Sequence, residues 1–563
     1  MLEVQFFLVS LAVLHFVNTE PTVQISQGNL TGTKLTSRNG REFHAFLGIP
    51  YAEPPIENRR FKNPVEKGPW QGSLKVDQPV EWCMQYDLDN NISGSEDCLY
   101  MYVYTPWLPE ENNETLPVMV WIHGGGFKSG DGYHKYYPYF LLDKDIVLVT
   151  MNYRLGIFGY LSTGDEAAPG NFGLKDQLMV LKWVQKNIYA FGGDPSKVTL
   201  AGQSAGGVSV NLHALSEKSR GLFSKYIIQS GCALNPWAYQ DIKGYKGYSV
   251  KVARKYGCPE YNSSVMVDCL RKLSASQLLD SDDIFDPLVQ LLTIGWMPTK
   301  EAKSDDAFLT ESPLTLVLNN EMDDLPFMTG SVRDEGLLMT SALYENNMFY
   351  RMVRQYFKPI VASATNYYSG LPPFDAIRLT DLSCNYYFGN QNLTKVEFIQ
   401  QATAFMTDAF FIYPEMVMMD WVSKVNTKPC YYYSFEYRGA LSSTIPELNG
   451  KNIDIGVDHA DELFYLFYQD DKAIHLPKNI TMSNDDMHMI DVIVDLWTSF
   501  VTNGKPTSKN LPDPNIWLPY VPGTYHLQIG NNSNTSVYLQ NKYLTERMNF
   551  WRSAMLQTLL PNE

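Results

Sequence analysis

The apolar residues of this chain fall into short runs that alternate with longer segments of helical periodicity. Largely apolar runs at Pro117–Ile122, Asp145–Met151 and Tyr226–Gln229 predict strands buried on both faces. Apolar residues three or four apart over Lys175–Ala190, and a helical pattern over Val208–Leu215, predict helices between such strands. Strands that alternate with helices form a mostly parallel sheet with helices on both faces, so we expect an α/β fold.

The alternation extends over the rest of the chain without an internal repeat or a low-complexity linker. The other elements that it predicts are a hairpin at Thr22–Ile25 and Leu30–Thr33, strands at Phe327–Gly330 and Tyr431–Tyr437, and helices at Asp485–Phe500 and Leu544–Leu559. We therefore expect residues 20–563 to form a single domain with long insertions.

Residues 1–19 carry the pattern of a signal peptide. The apolar run Phe6–Leu14 is too short to span a bilayer comfortably, and polar residues follow it at Asn18–Glu20. No positive charge precedes the run, which leaves an uncleaved anchor as the alternative. No later stretch is long and apolar enough for a membrane helix, and no retention signal closes the chain. We expect a secreted protein that does not span a membrane.

The cysteines agree with an oxidising compartment. Cys83 and Cys98 lie close together in sequence, as do Cys258 and Cys269, and each pair brackets polar loop residues. Such spacing predicts two local disulfides. The remaining cysteines, which we expect to be small buried apolar residues, are Cys232, Cys384 and Cys430.

Consensus sequences for N-glycosylation also suit a secreted protein. They begin at Asn29, Asn91, Asn113, Asn262, Asn392, Asn479, Asn531 and Asn534. Composition alone produces several such triplets by chance, so we expect only some of them to carry sugar.

The net charge of −16 at pH 7 narrows the class of partner. Phosphate backbones bind to basic protein faces, so this charge argues against nucleic acid as a ligand. It favours no other class of partner.

The strongest local motif is Gly202-Gln203-Ser204-Ala205-Gly206, which lies between the predicted strand that starts at Val198 and the helical pattern after it. A strand, a tight turn and a helix form a nucleophile elbow, in which a strained backbone exposes the serine hydroxyl. The flanking glycines avoid collisions with neighbouring backbone, and the helix N-terminus favours a developing oxyanion. The pentapeptide also arises by chance, so its meaning depends on partners elsewhere in the chain.

A run of three glycines follows the predicted strand Pro117–Ile122. It stands in His123-Gly124-Gly125-Gly126-Phe127, and glycine runs are costly to hold in one conformation. Esterase chemistry gives a reason for it, because backbone N–H groups must approach a substrate oxygen closely. A plain flexible turn is the alternative.

The chain after Ser204 must supply a base. The histidines far downstream are His459, His475, His488 and His526. His475 and His488 stand in polar or helical surroundings typical of surface positions, and His526 is expected in a loop near the chain end. His459 follows the predicted strand Tyr431–Tyr437 and precedes an apolar run, so it best fits a base on a loop at the sheet edge.

The acid of such a triad has two candidates. Asp334 and Glu335 both follow the predicted strand Phe327–Gly330. A solvated loop carboxylate is the common fate of either residue, and the local pattern does not choose between them.

Taken together, these segments resemble the cholinesterase/carboxylesterase (type B) family of α/β-hydrolases. The matching segments are Tyr51–Pro55, Ser95–Leu99, His123–Phe127, Asn152–Gly156, Gly173–Gln177, Phe191–Pro195, Gly202–Gly206, Gln229–Gly231, Asp334–Gly336 and Gly456–His459. They occur in order over nearly the whole chain after the signal peptide, which makes the resemblance specific.

The resemblance implies an α/β-hydrolase fold and a serine carboxylic-ester hydrolase that acts on a small-molecule ester. The roles it implies are Ser204 as nucleophile, Glu335 as acid, His459 as base, and Gly125, Gly126 and Ala205 as oxyanion-hole donors. It also implies both local disulfides, and it implies no metal ion or organic cofactor.

Two departures narrow the subgroup. The segment between Cys83 and Cys98 lacks the choline-binding tryptophan of cholinesterases, and Gln203 replaces their glutamate, so acetylcholine is not the expected substrate. The motifs are similar to those of secreted insect carboxylesterases, including juvenile hormone esterases and odorant-degrading, venom and digestive esterases. Phe127 and Trp237 match acyl-pocket positions of the family and favour an apolar acyl group, with simple core packing as the alternative.

Two other functions stay open at this point. The family includes adhesion proteins that keep the fold without the nucleophile, whereas all three triad candidates are present here. A stoichiometric scavenger would acylate its serine and deacylate slowly, and a deacylation rate has no sequence pattern.

Overall fold

The computed structural model describes residues 20–559, apart from residues 88, 286–294, 365–370, 390–391, 470–474, 478–479 and 542. The predicted signal peptide and the glycosylation position Asn479 lie outside the described residues.

The described residues form sixteen strands, of which eleven make one mixed sheet. In chain order the strands are β1 Thr22–Ile25, β2 Gly28–Thr31, β3 Thr33–Thr36, β4 Glu42–Pro50, β5 Ser73–Lys75, β6 Gln85–Tyr86, β7 Ile92–Ser93, β8 Tyr100–Thr105, β9 Leu116–Ile122, β10 Val147–Met151, β11 Gly193–Gln203, β12 Lys225–Gln229, β13 Phe327–Val332, β14 Cys430–Tyr437, β15 Tyr525–Asn532 and β16 Asn534–Asn541. Their order across the large sheet is β16-β15-β14-β13-β12-β11-β9-β10-β8-β4-β3. The central strands β9 to β15 are parallel, and antiparallel pairs close both edges. The expected α/β fold with a mostly parallel sheet is confirmed.

Helices connect the parallel strands. They are α1 Gly156–Tyr160, α2 Phe172–Asn187, α3 Ala205–Leu215, α4 Ile242–Lys255, α5 Ser263–Leu270, α6 Ala275–Leu279, α7 Pro313–Leu318, α8 Leu337–Thr340, α9 Ala342–Glu345, α10 Asn347–Gln355, α11 Phe357–Ala364, α12 Pro373–Phe388, α13 Lys395–Thr407, α14 Tyr413–Val425, α15 Thr444–Glu447, α16 Asn484–Asn503 and α17 Thr545–Leu559. A π-helical turn, Asp408–Ile412, joins α13 to α14. None of the helices in these described ranges is both long and apolar enough to cross a bilayer.

The apolar core has two layers, one on each face of the sheet. Strand β9 shows why its sequence is apolar at every position: Val118 and Val120 belong to one layer, while Met119 and Trp121 belong to the other. Successive strand residues point to opposite faces, so a strand covered on both sides needs apolar residues throughout.

The cysteine predictions are confirmed. Cys83 is bonded to Cys98 and Cys258 to Cys269, while the three remaining cysteines are buried thiols. The described glycosylation positions, Asn29, Asn91, Asn113, Asn262, Asn392, Asn531 and Asn534, are all exposed, and their use stays a prediction.

The bounds of one expected helix differ, and one local expectation was wrong. The helix expected over Lys175–Ala190 begins earlier, at Phe172, and gives way after Asn187 to a 3-10 turn. His526 lies in strand β15 and is buried, whereas the sequence suggested a loop. Its strand runs parallel to β14, which the Tyr and Gly residues near it did not reveal.

Candidate active site

Ser204 lies between the end of β11 and the start of α3 in a strained turn. Its backbone has φ 59° and ψ −124°, outside the regions that non-glycine residues favour. A Cβ at Gly202 would lie 2.6 Å from the Gly206 backbone, and one at Gly206 would lie 2.0 Å from the Ile122 carbonyl oxygen. Glycine is therefore required at both positions, and the turn has the form of the expected elbow.

The glycine loop after β9 lies beside this turn. A Cβ at Gly124 would lie 3.0 Å from Ser204 Cβ. The loop is anchored from outside, because Gln85 Oε1 accepts from Gly130 N at 2.7 Å and Tyr153 OH donates to the His123 carbonyl at 2.8 Å. The sequence motif does not contain these two anchoring residues.

Three backbone N–H groups near Ser204 have no protein acceptor among the described residues. They belong to Gly125, Gly126 and Ala205. Gly125 is exposed at the site and has φ 104°, where a Cβ would lie 2.0 Å from the Ser129 carbonyl oxygen. Backbone N–H groups without a protein acceptor are available to bind an anionic oxygen.

His459 and Glu335 form a buried pair. His459 Nδ1 lies 2.5 Å from Glu335 Oε2, and the other carboxylate oxygen accepts from Val332 N at 2.9 Å. Glu335 has no exposed surface and His459 is 6% exposed, so bulk water does not compete for this contact.

Asp334, the other candidate acid, lies elsewhere. Its carboxylate accepts from Arg333 Nε at 2.7 Å and from Val457 N at 3.0 Å. These hydrogen bonds hold the loop that carries His459. No described contact joins Asp334 to the imidazole itself. The geometry brings Glu335 to His459 and keeps Asp334 beside the loop.

No described contact joins the other downstream histidines to this pair. His475 is exposed and His488 is half-buried on α16. His526 packs against Tyr432 and Tyr543, and burial lowers its pKa to about 4.

The Nε2 atom of His459 has a partner that the motif analysis did not expect. Gln203 Nε2 lies 3.1 Å from it, and the glutamine side chain is buried. Among the described residues, no hydrogen bond joins Ser204 to His459. The only sequence signal was that Gln203 stands where cholinesterases carry glutamate.

Two further buried carboxyl groups surround Glu335, and sequence reasoning missed both. Glu415 on α14 accepts from the Thr329 hydroxyl and from Ser331 Oγ at 2.7 Å. Glu462 Oε1 accepts from Gln229 Nε2 at 3.1 Å, while its Oε2 has no hydrogen-bond partner among the described residues.

Both carboxyl groups hold their protons unusually well. Burial and then the charge of Glu335 raise the pKa of Glu462 to about 8. Burial, with a smaller contribution from Glu335, raises the pKa of Glu415 to about 7, although its hydroxyl donors act in the opposite direction. A glutamate amid the apolar residues of α14 was the signal available for Glu415.

Of the two expected acyl-pocket residues, Trp237 lies close to the nucleophile. A Cβ at Gly231 would lie 2.5 Å from the Ser204 carbonyl oxygen and 3.1 Å from Trp237 Cη2. The Trp237 ring also contacts Phe411, whose ring lies 5.1 Å from that of His459. Phe127 is fully buried against Tyr160, and no described ring contact joins it to Trp237.

Comparisons with known proteins extend over nearly the whole chain. The model of the carboxylesterase family matches residues 19–551. Juvenile hormone esterase of Tribolium castaneum is 36% identical over 578 residues, which cover 98% of this chain and 96% of that protein. A carboxylic ester hydrolase of Bombus ignitus is 33% identical over 568 residues, 97% of each chain.

A solved structure gives the same picture. The crystal structure of juvenile hormone esterase from Manduca sexta matches with a TM-score of 0.82 and 25% identity. The match covers 95% of this chain and 100% of that one. The likeness therefore includes the insertions as well as the sheet.

Proposed function

Because this chain belongs to the carboxylesterase family of α/β-hydrolases and is a carboxylic ester hydrolase, we propose that it cleaves its substrate through a covalent acyl intermediate on Ser204. The observation that carries this mechanism is the buried His459–Glu335 pair beside the strained elbow serine. In this proposal Ser204 is the nucleophile, His459 the general base and Glu335 the group that orients the base.

The first half-reaction forms the acyl-enzyme. His459 Nε2 takes the Ser204 proton as Oγ attacks the ester carbonyl, and Glu335 stabilises the resulting imidazolium. The carbonyl oxygen becomes an oxyanion, which the N–H groups of Gly125, Gly126 and Ala205 bind. Collapse of the tetrahedral intermediate breaks the C–O bond, and His459 gives its proton to the leaving alcohol.

The second half-reaction releases the acid. Water enters in place of the alcohol, His459 takes one of its protons, and the hydroxide oxygen attacks the acyl carbon. The proton returns to Ser204 Oγ as the C–O bond to the serine breaks. The same groups serve both halves, so no metal ion or organic cofactor enters the proposed sequence.

We propose an apolar ester as the substrate class. Trp237 and Phe411 form an apolar wall close to Ser204 and His459, which suits a hydrocarbon acyl chain. The similarity to juvenile hormone esterases agrees with an apolar ester without selecting one.

We also propose that the protein acts outside the cell. Its two local disulfides persist in oxidising compartments, and the sequence predicts a signal peptide at residues 1–19. Cell fractionation with mass spectrometry of the mature N-terminus tests this; recovery of residues 1–19 on intracellular protein contradicts it.

The decisive experiment compares the wild type with Ser204→Ala on a naphthyl ester, a long-chain ester and acetylthiocholine. We expect the variant to lose roughly 10⁴-fold or more of kcat/KM. Ser196→Ala, which alters an exposed serine near the other end of β11, is the matched control. Full activity of Ser204→Ala would contradict the proposed nucleophile, and a burst of one equivalent without turnover would identify a scavenger instead.

A further inference from the structure

The environment of His459 Nε2 contains a competition between two donors. The Glu335 carboxylate can only accept, so His459 Nδ1 carries the proton in this pair. A neutral imidazole protonated at Nδ1 has one lone pair, on Nε2. Gln203 Nε2 lies 3.1 Å from that atom, and an amide nitrogen can only donate.

Ser204 needs the same lone pair. General-base catalysis requires Nε2 to accept the proton of the serine hydroxyl. Gln203 and Ser204 are neighbours in the chain, so the contact of Gln203 with Nε2 also brings Ser204 near the imidazole. A single lone pair does not serve two donors at full strength.

We propose that Gln203 is a positioning residue, which caps the Nε2 atom of His459 in the free enzyme and yields it to Ser204 when an ester occupies the site. This inference rests on the proposed function, because it concerns the same base and nucleophile. The cap holds the imidazole neutral, in the one tautomer that can accept the serine proton.

An amide suits this position better than a carboxylate. The amide N–H of Gln203 stabilises the lone pair of the neutral imidazole, and the amide carries no charge that would stabilise the imidazolium. A glutamate could only accept, and would hold the histidine in its charged form.

The surroundings of His459 make this neutrality matter. Glu415 on α14, Tyr433 on β14 and Glu462 in the turn after His459 all interact with Glu335. In the loop itself, Asp458 accepts from His459 N, and Asp461 is buried in the turn that follows. The charge of Glu335 favours the imidazolium, whereas Glu415 and Glu462, whose pKa values are raised to about 7 and about 8, add negative charge only at higher pH. A neutral donor on Nε2 opposes that tendency.

The test uses two variants of Gln203 and measures the pH profile of kcat/KM. Gln203→Met removes the donor at similar size, and Gln203→Glu replaces it with an acceptor. At low pH, kcat/KM falls because His459 becomes protonated, and we expect the pH of this fall to rise in the order wild type, Gln203→Met, Gln203→Glu. This low-pH side of the profile is the acid limb. For Gln203→Glu we expect a shift of about one pH unit, which is a tenfold change in proton affinity. A merely structural role would lower activity without moving the limb.

Gln528→Met is the matched control, since Gln528 is another buried glutamine, on β15, whose amide donates to the Gly530 carbonyl. It should leave the limb in place. Limbs at the same pH in wild type and both Gln203 variants would overturn the proposal. Loss of activity in Ser204→Ala is a separate result, so failure of the mechanism and failure of the cap are distinguishable.

A measurement on the unaltered glutamine covers the case in which the variants fold poorly. In protein labelled with ¹⁵N-histidine, the Nε2 resonance of His459 should shift little between wild type and Ser204→Ala, because Gln203 supplies the hydrogen bond in both. A large shift on removal of the serine hydroxyl would show that Ser204 already holds the lone pair and would overturn the cap.

Discussion

His459 Nδ1 lies 2.5 Å from Glu335 Oε2 although 124 residues separate the two in the chain. The strands before each residue, β13 and β14, are parallel neighbours, so both loops leave the same edge of the sheet. The contact is buried and joins the end of one loop to the start of another. The pairing of β13 with β14 therefore fixes the orientation of the imidazole.

The pair predicts unequal effects of two adjacent substitutions. Glu335→Gln keeps the shape but offers an amide to Nδ1, which favours the wrong tautomer, so kcat/KM should fall about 10³- to 10⁴-fold. Asp334→Asn keeps an oxygen for Val457 N and should cost less than tenfold. Steady-state hydrolysis of a naphthyl ester measures both, and the reverse order would assign the acid to Asp334.

The glycine loop predicts that a substitution there weakens stabilisation of the transition state. Gly125→Ala would force a Cβ against the Ser129 carbonyl at a φ of 104°, so the loop must move and its N–H groups must lose their aim. We expect kcat to fall about 10²- to 10³-fold.

Gly221→Ala is the control for that substitution, because a Cβ at Gly221 meets nothing within 4 Å and its φ of 79° carries a similar backbone strain. Affinity for an alkyl boronic acid, which forms a tetrahedral adduct on serine, should fall with kcat in Gly125→Ala. Unchanged affinity would remove the loop from the oxyanion site.

The buried carboxyl groups predict how stability depends on pH. Between about 4.5, the ordinary pKa of a glutamate, and about 8, Glu462 keeps its proton in the folded protein and loses it in the unfolded chain. The folded state then binds more protons, so the free energy of unfolding falls as pH rises through this window. Each such group contributes at most about 1.4 kcal/mol per pH unit.

The free energy of unfolding of Glu462→Gln, minus that of the wild type, should therefore be larger at pH 8 than at pH 5. Glu415→Gln should do the same over a narrower window, which ends near pH 7. Urea unfolding at the two pH values measures the difference, with the exposed Glu217→Gln as control. An equal difference from wild type at both pH values would contradict the protonated state of these groups.

Trp237 predicts a change in chain-length preference. Trp237→Leu replaces the ring that faces Phe411 with a smaller side chain, which leaves more space for an acyl chain. The ratio of kcat/KM for a long-chain ester to kcat/KM for an acetyl ester should therefore rise several-fold. Trp421→Leu, at a more exposed position on α14, should leave the ratio unchanged. A ratio that does not move in Trp237→Leu would favour core packing as the role of this tryptophan.

Much of the fold could be predicted from the local pattern of apolar and polar residues. Strand β9 has an unbroken apolar run because both of its faces are covered, and such a run identifies a central strand without knowledge of its neighbours. The strand containing His526 was missed because the polar residues His526 and Gln528 interrupt its apolar residues, so no continuous apolar run marks it.

The sequence by itself determined the elbow. At Gly202 and Gly206 an added Cβ would lie 2.0 to 2.6 Å from neighbouring backbone, so the turn accepts only glycine there. It also determined the glycine loop and the cysteine pairs, whose partners are close in the chain. The sequence left Asp334 and Glu335 as equal candidates until family resemblance was considered.

Only the tertiary structure decided which carboxylate meets His459, what occupies its Nε2 atom, and that Glu415 and Glu462 lie near Glu335. These are relations between residues that the sheet brings together from distant segments. Proton affinity depends on burial and on nearby charge, and both arise only when the segments pack.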